Sequence, residues 1–177
     1  MAKWIIDPDH SVAAFAVRHM MIADVRGQFN KVTGTILFDP ADVAGSSVEL
    51  NIDTASITTG IRKRDDHLKS QDFLDVERYP AITFLSTAVE VTGANRAKVA
   101  GDLTLHGVTH PVALEVEYFG PVNDPFGEGK SMGFSVAGTI NRENYGIVWN
   151  EAMEGGGVIV GRDVRIVLDI EADLAHD

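Results

Sequence analysis

Side chains two residues apart share one face of a β-strand, and three stretches of this chain keep to that rule closely. Val48, Leu50 and Ile52 alternate with Glu49, Asn51 and Asp53; Val112, Leu114, Val116 and Tyr118 with Ala113, Glu115 and Glu117. Val164, Ile166, Leu168 and Ile170 alternate with Arg165, Val167, Asp169 and Glu171. Such runs are half-buried antiparallel strands, apolar face inward. Ser11 to Met20, Val32 to Phe38 and Ile82 to Val91 carry apolar or small residues on both sides. They read as strands covered on both faces or lying in a dimer interface.

Turn signals separate the runs: Asp39-Pro40, Thr92-Gly93-Ala94-Asn95, His106-Gly107 and Asn123-Asp124-Pro125-Phe126-Gly127. Long consecutive strands with short turns make a meander. About eight of them invite closure into a barrel, which removes exposed edges. A two-sheet sandwich is the competing architecture. One segment breaks the pattern: Ile61 to Ser70 lacks alternation and is rich in charge. It reads as a short surface helix, capped by Thr58 or Thr59, with Ile61 and Leu68 on one apolar side. A second helical turn is expected at Asn141 to Tyr145. There is no internal repeat, so residues 1–177 are read as one domain.

A net charge of −11 argues against a nucleic-acid partner and against adhesion to an anionic membrane. The absence of cysteine excludes disulfides, thiolate nucleophiles and Cys-ligated metals. No stretch approaches the apolar length of a membrane helix. The opening Met1-Ala2-Lys3-Trp4-Ile5-Ile6-Asp7 has no signal-peptide pattern, so a cytoplasmic location is expected, or a periplasmic one if the chain is a processed form.

The polar residues offer no convincing catalytic set. His106 and His110 flank a turn, but two imidazoles are short of the three or four ligands zinc needs, and hydrogen-bonding roles fit them better. His10 follows a turn signature, Asp7-Pro8-Asp9, and should help close that turn. His19 beside Arg18 is a candidate for a polar pocket mouth. Asp65-Asp66-His67 reads as a solvated charge run, since adjacent helical residues do not share a face. Ser131 and Ser135 lack a nucleophile elbow. Gly155-Gly156-Gly157 lacks the strand–turn–helix context of a phosphate loop. The apolar inventory is large, and it fits a packed core as well as a cavity, because small barrels do either.

Several segments resemble the YceI-like family of lipocalin-like, polyisoprenoid-binding proteins. Trp4-Ile-Ile-Asp7-x-x-His10-Ser11 and Phe15-x-Val17-Arg18-His19 are similar to its opening, and Val25-x-Gly27-x-Phe29 with Gly34-x-Ile36 to its second strand pair. Arg64-Asp65-x-His67-Leu68-x-Ser70-x-Asp72-Phe73 resembles its helix, and Tyr79-Pro80-x-Ile82-x-Phe84 the strand that follows. Gly101-x-Leu103-Thr104-Leu105-His106-Gly107-Val108-Thr109 and Ile140-Asn141-Arg142-x-x-Tyr145-Gly146 complete an ordered series over nearly the whole chain. The resemblance implies an all-β, extended eight-stranded antiparallel lipocalin-like barrel with one short helix near residues 61–70. It also implies an interior pocket for a long isoprenoid or a similar amphiphile, such as a prenylated quinone, and a homodimer. Two features depart from the family: many relatives carry a leader for the periplasm, and His110 stands where a basic residue such as Lys is common.

The expectation is therefore a non-enzymatic carrier or store for a polyisoprenoid or isoprenoid quinone, with no metal and no cofactor beyond the bound lipid. Phe15, Val17, Phe29, Leu50, Ile52, Phe84, Leu103, Leu105, Phe134, Ile140 and Trp149 are expected against the apolar tail, and His19 and Arg142 at the head group. Rival readings are a lipid- or quinone-modifying enzyme using His10, His19 or His106, a fatty acid or fatty amide binder, and a packed module without a cavity.

Overall fold

The computed structural model describes residues 1–126 and 129–175; Gly127, the end of one turn signal, lies outside them. The alternating runs form eleven strands: β1 (Ala2–Ile6), β2 (Val12–His19), β3 (Ala23–Phe29), β4 (Val32–Phe38), β5 (Ser47–Asp53), β6 (Ile57–Thr58), β7 (Ala81–Gly93), β8 (Arg96–Leu105), β9 (Val108–Asn123), β10 (Lys130–Asn141) and β11 (Val160–Leu174). Every pairing is antiparallel.

Six of these strands are halves of three kinked ones. β11 pairs with β1 at Trp4↔Leu174 and with β2 at Phe15↔Ile166, so β1 and β2 run one after the other along the same neighbour. β3 and β4 pair in turn with β2 and β1, and β6 and β5 with β3 and β4. The chain is thus a meander of eight long strands in sequence order, closed where the first meets the last.

Local chemistry makes the kinks. Pro8 has no N–H for the ladder, and the Asp7 carboxylate accepts from Asp9 N at 2.9 Å to start a turn of 3-10 helix, Pro8–His10. Asp53 does the same for Ala55 N at 3.0 Å, opening the 3-10 turn Thr54–Ser56. Backbone groups freed at the kinks find partners, as buried ones must. Ser11 Oγ donates to Glu171 O at 3.2 Å and accepts from Glu171 N at 3.1 Å, while Lys31 N donates to Ser56 Oγ at 3.1 Å.

The strands are long. β9 has sixteen residues, about 50 Å at the usual rise. The alternation is kept: Leu50, Ile52, Leu114, Leu168 and Ile170 are buried, with Glu49, Asp53, Glu115 and Asp169 on the opposite face. Phe38 packs edge-on against Tyr118 and Phe134 at one end, and Trp4 Nε1 donates to Phe38 O at 3.3 Å.

Helix α1 (Arg62–Lys69) forms where the charge run predicts, but its start differs. Ile61 is the N-cap residue, its side chain makes no capping bond, and it is exposed rather than paired with Leu68. The threonines act in the opposite sense. Thr59 donates from its backbone N–H (2.7 Å) and its hydroxyl (2.5 Å) to Asp65, and Thr58 Oγ1 donates to the same carboxylate at 3.3 Å. These bonds, the Thr59 hydroxyl first, hold Asp65 below the usual carboxylate range. Asp65 is a latch between β6 and the helix, so the sequence reading of Asp65-Asp66-His67 as a solvated run is corrected. The turn expected at 141–145 is a 3-10 helix, Arg142–Tyr145, capped by the Asn141 side chain on Glu143 N at 3.0 Å.

Candidate ligand-binding site

The barrel is not filled. A cavity of about 360 Å3 lies among the inward faces of β2, β3 and β11 and the inner side of α1, and a second of about 120 Å3 continues towards Phe38 and Phe134. Ile52, Leu103, Ile166 and Leu168 line both, so the two apolar chambers adjoin at a neck formed by these side chains. The larger is within the range of small-molecule sites. A 150 Å3 cavity accommodates the six carbons of benzene. On that scale the larger chamber holds about fourteen carbons and the smaller about five.

Of the residues expected to touch a ligand, Phe15, Val17, His19, Phe29, Ile52, Leu103, Leu105, Ile140, Arg142 and Trp149 line the larger chamber. Leu50, Phe84 and Phe134 line only the smaller one, beyond the neck. Close packing shapes the wall: a Cβ on Gly27 would stand 2.5 Å from Phe15 Cζ and 2.8 Å from Thr59 Cγ2, so only glycine lets β3 approach there.

The polar groups bordering the larger chamber are Arg18, His19, Arg64, His67 and Arg142. Sequence reading missed Arg64 and His67. The available signal was their spacing: Arg64, His67 and Leu68 are three and four apart, hence on one helical face, and that face turns inward. His67 Nε2 hydrogen-bonds Asp72 Oδ2 at 2.8 Å, and its ring stands edge-on to Trp149 and Phe73, with centroids 4.8 and 5.0 Å away. Arg64 donates from Nε to Thr59 Oγ1 at 2.7 Å and from Nη2 to Thr59 O at 3.1 Å.

Arg142 is only 4% exposed and donates to four backbone carbonyls: Gly161 from Nε at 2.8 Å, Ile147 and Trp149 from Nη1 at 2.9 and 3.0 Å, and Val160 from Nη2 at 3.2 Å. Burial lowers its pKa, yet a guanidinium stays charged. It is a strut that ties residues 147–161 across the cavity rim. Burial likewise pushes its neighbour Tyr145 up.

The other histidines are elsewhere. His106 Nδ1 meets Tyr145 O at 3.1 Å and His110 Nε2 meets Asn144 O at 2.8 Å, so the pair holds the 142–145 turn by hydrogen bonds. His10 sits in the 3-10 turn between β1 and β2, not on a strand, with Nδ1 2.6 Å from Asp7 Oδ2. Among the described residues, Asp7, His10 and Glu171 are the only group that brings three possible metal-ligand atoms within 4.8 Å, and the Asp7–His10 hydrogen bond lies within it. Of the three histidines in the enzyme reading, only His19 borders the cavity.

The profile of the YceI-like domain matches residues 4–172. The chain belongs to the YceI-like family. A UPF0312 protein of Staphylococcus aureus (strain MSSA476) is 35% identical over 176 residues, 99% of this chain and all of that protein. A UPF0312 protein of Vibrio cholerae is 38% identical over 148 residues, 82% of this chain and 78% of that one. Among solved structures, BcnA of Burkholderia cenocepacia superposes with a TM-score of 0.81 at 25% identity, covering 94% of this chain and 98% of BcnA. A polyisoprenoid binding domain from Saccharophagus degradans, implicated in plant cell wall breakdown, shares the YceI-like fold with a TM-score of 0.72 at 16% identity, covering 99% and 100% of the two chains.

Proposed function

We propose that this protein binds and carries a long apolar amphiphile, a polyisoprenoid or the tail of an isoprenoid quinone, without converting it chemically. The observation that carries this reading is the pair of adjoining apolar chambers inside a barrel of this family. The fold is also that of a domain named for polyisoprenoid binding, which accords with the proposal. Burying each CH₂ contributes about 0.8 kcal/mol, so about fourteen carbons in the larger chamber contribute about 11 kcal/mol before costs. Ordering a flexible chain and losing its free motion remove several kcal/mol of that. About 7–8 kcal/mol remains, affinity in the micromolar range with no special polar chemistry. Within this reading the protein acts as a homodimer, which sedimentation velocity tests.

The functional test is organic extraction of freshly purified protein followed by mass spectrometry. An isoprenoid or quinone near one per chain is expected. Protein that is lipid-free even from a quinone-producing host, and that takes up no added polyprenol, refutes the reading.

A further inference from the structure

We infer that the head group taken at this mouth is an acid, a carboxylate or a phosphate ester, and that Arg64 and His67 hold it. The inference rests on the carriage reading and narrows its ligand. Acidic side chains outnumber Lys and Arg by 26 to 15 in the chain, yet no Asp or Glu lines the larger chamber, and every charged lining residue is an arginine or a histidine.

Arg64 and His67 lie one turn apart on the inward face of α1, and the His67 ring stands edge-on to Trp149, whose carbonyl Arg142 bonds at 3.0 Å. His19 pairs with Val160, another Arg142 acceptor.

The Asp72 carboxylate partners His67 at 2.8 Å, but among the described residues neither Arg64 nor Arg142 has a carboxylate oxygen within 4.0 Å. Two of the five N–H groups of Arg64 are taken by Thr59, which leaves three. Arg18 takes no part, because it shares Asp24 with Arg26 and Arg165 on the outer face of the barrel. A guanidinium beside an apolar cavity carries a desolvation cost that an entering anion offsets. Charge-assisted hydrogen bonds are also about twice as strong as those a neutral hydroxyl or quinone carbonyl accepts.

The test compares ligands that share a tail. Delipidated protein is titrated with geranylgeraniol against geranylgeranyl phosphate, and with hexadecanol against hexadecanoic acid, following tryptophan fluorescence. The acids should bind at least about tenfold more tightly than their alcohols, a difference of about 1.4 kcal/mol. The two pairs separate phosphate from carboxylate preference. In Arg64→Gln the ratio of acid to alcohol affinity should fall below about threefold. Arg64→Lys is the companion variant should Arg64→Gln unfold, and it should retain part of the preference. Acids and alcohols that bind equally overturn the inference but leave carriage standing, as does an acid preference that survives Arg64→Gln. If none of the four binds, both fall.

Discussion

Replacing Arg142 by Met tests the strut directly. The side chain donates to four carbonyls, and bonds to charged groups contribute about 1.5–3 kcal/mol each, nominally about 6–12 together. Two effects reduce that sum. Methionine does not carry the burial cost of an ion, which is several kcal/mol for a group this enclosed. The carbonyls of Trp149, Val160 and Gly161 belong to half-buried residues and regain water when released. The Ile147 carbonyl is buried and stays unsatisfied at about 1–3 kcal/mol. The net expectation is a loss of about 2–4 kcal/mol. With a urea m-value of about 2 kcal/mol/M, the unfolding midpoint should fall by about 1–2 M. Amide exchange should speed up first in residues 147–161. Arg142→Lys keeps the charge without the planar fork, and should recover less than half of the loss. A midpoint within about 0.25 M of the parent, or above it, would refute the idea that this guanidinium holds the rim.

Other expectations follow from the same packing. A Cβ at Gly101 would sit 2.5 Å from Leu85 O and against the Phe84 ring, so Gly101→Ala should cost about 1–3 kcal/mol, a drop of about 2–10 °C in a calorimetric Tm. Leu103→Ala removes a side chain of the neck and should destabilise lipid-free protein by about 2–5 kcal/mol, part of which a C20 isoprenoid spanning the adjoining chambers should restore in a thermal shift. Met20 and Met21 turn the β2–β3 hairpin at φ 50° and 62°, a region costly for side chains, so Met20→Asn/Met21→Gly should raise stability by about 1–2 kcal/mol in urea. The hydrogen bond between Asp7 and His10 lowers the first pKa and raises the second. The pair therefore contributes fully only between about pH 3.9 and 6.5. Its contribution fades as pH rises through the raised His10 value or falls through the lowered Asp7 value. Asp7→Asn should bring His10 back towards the ordinary imidazole value by NMR titration and remove this part of the pH dependence of unfolding.

Much of the barrel is legible in the sequence because a strand's alternation is local. Val164 to Ile170 announces which face of β11 is buried whatever it packs against, and Asp7-Pro8-Asp9 and His106-Gly107 announce turns through backbone chemistry within a few residues. The inward faces of β5, β9 and β11 follow from that pattern alone. The character of the mouth does not. Arg64 and His67 read as solvated charge until α1 docks beside Trp149, some eighty residues away in sequence. Arg142 reads as a head-group ligand until residues 147–161 fold back over it and occupy four of its donors. His106 and His110 read as hydrogen-bonding residues beside a turn, but only the fold supplies their acceptors, the carbonyls of Tyr145 and Asn144. The neck, too, depends on how Ile52, Leu103, Ile166 and Leu168, drawn from three strands, meet across the interior. Periodicity records which way a side chain points relative to its own backbone. What that side chain meets is decided only when the barrel closes and brings Trp4 beside Leu174.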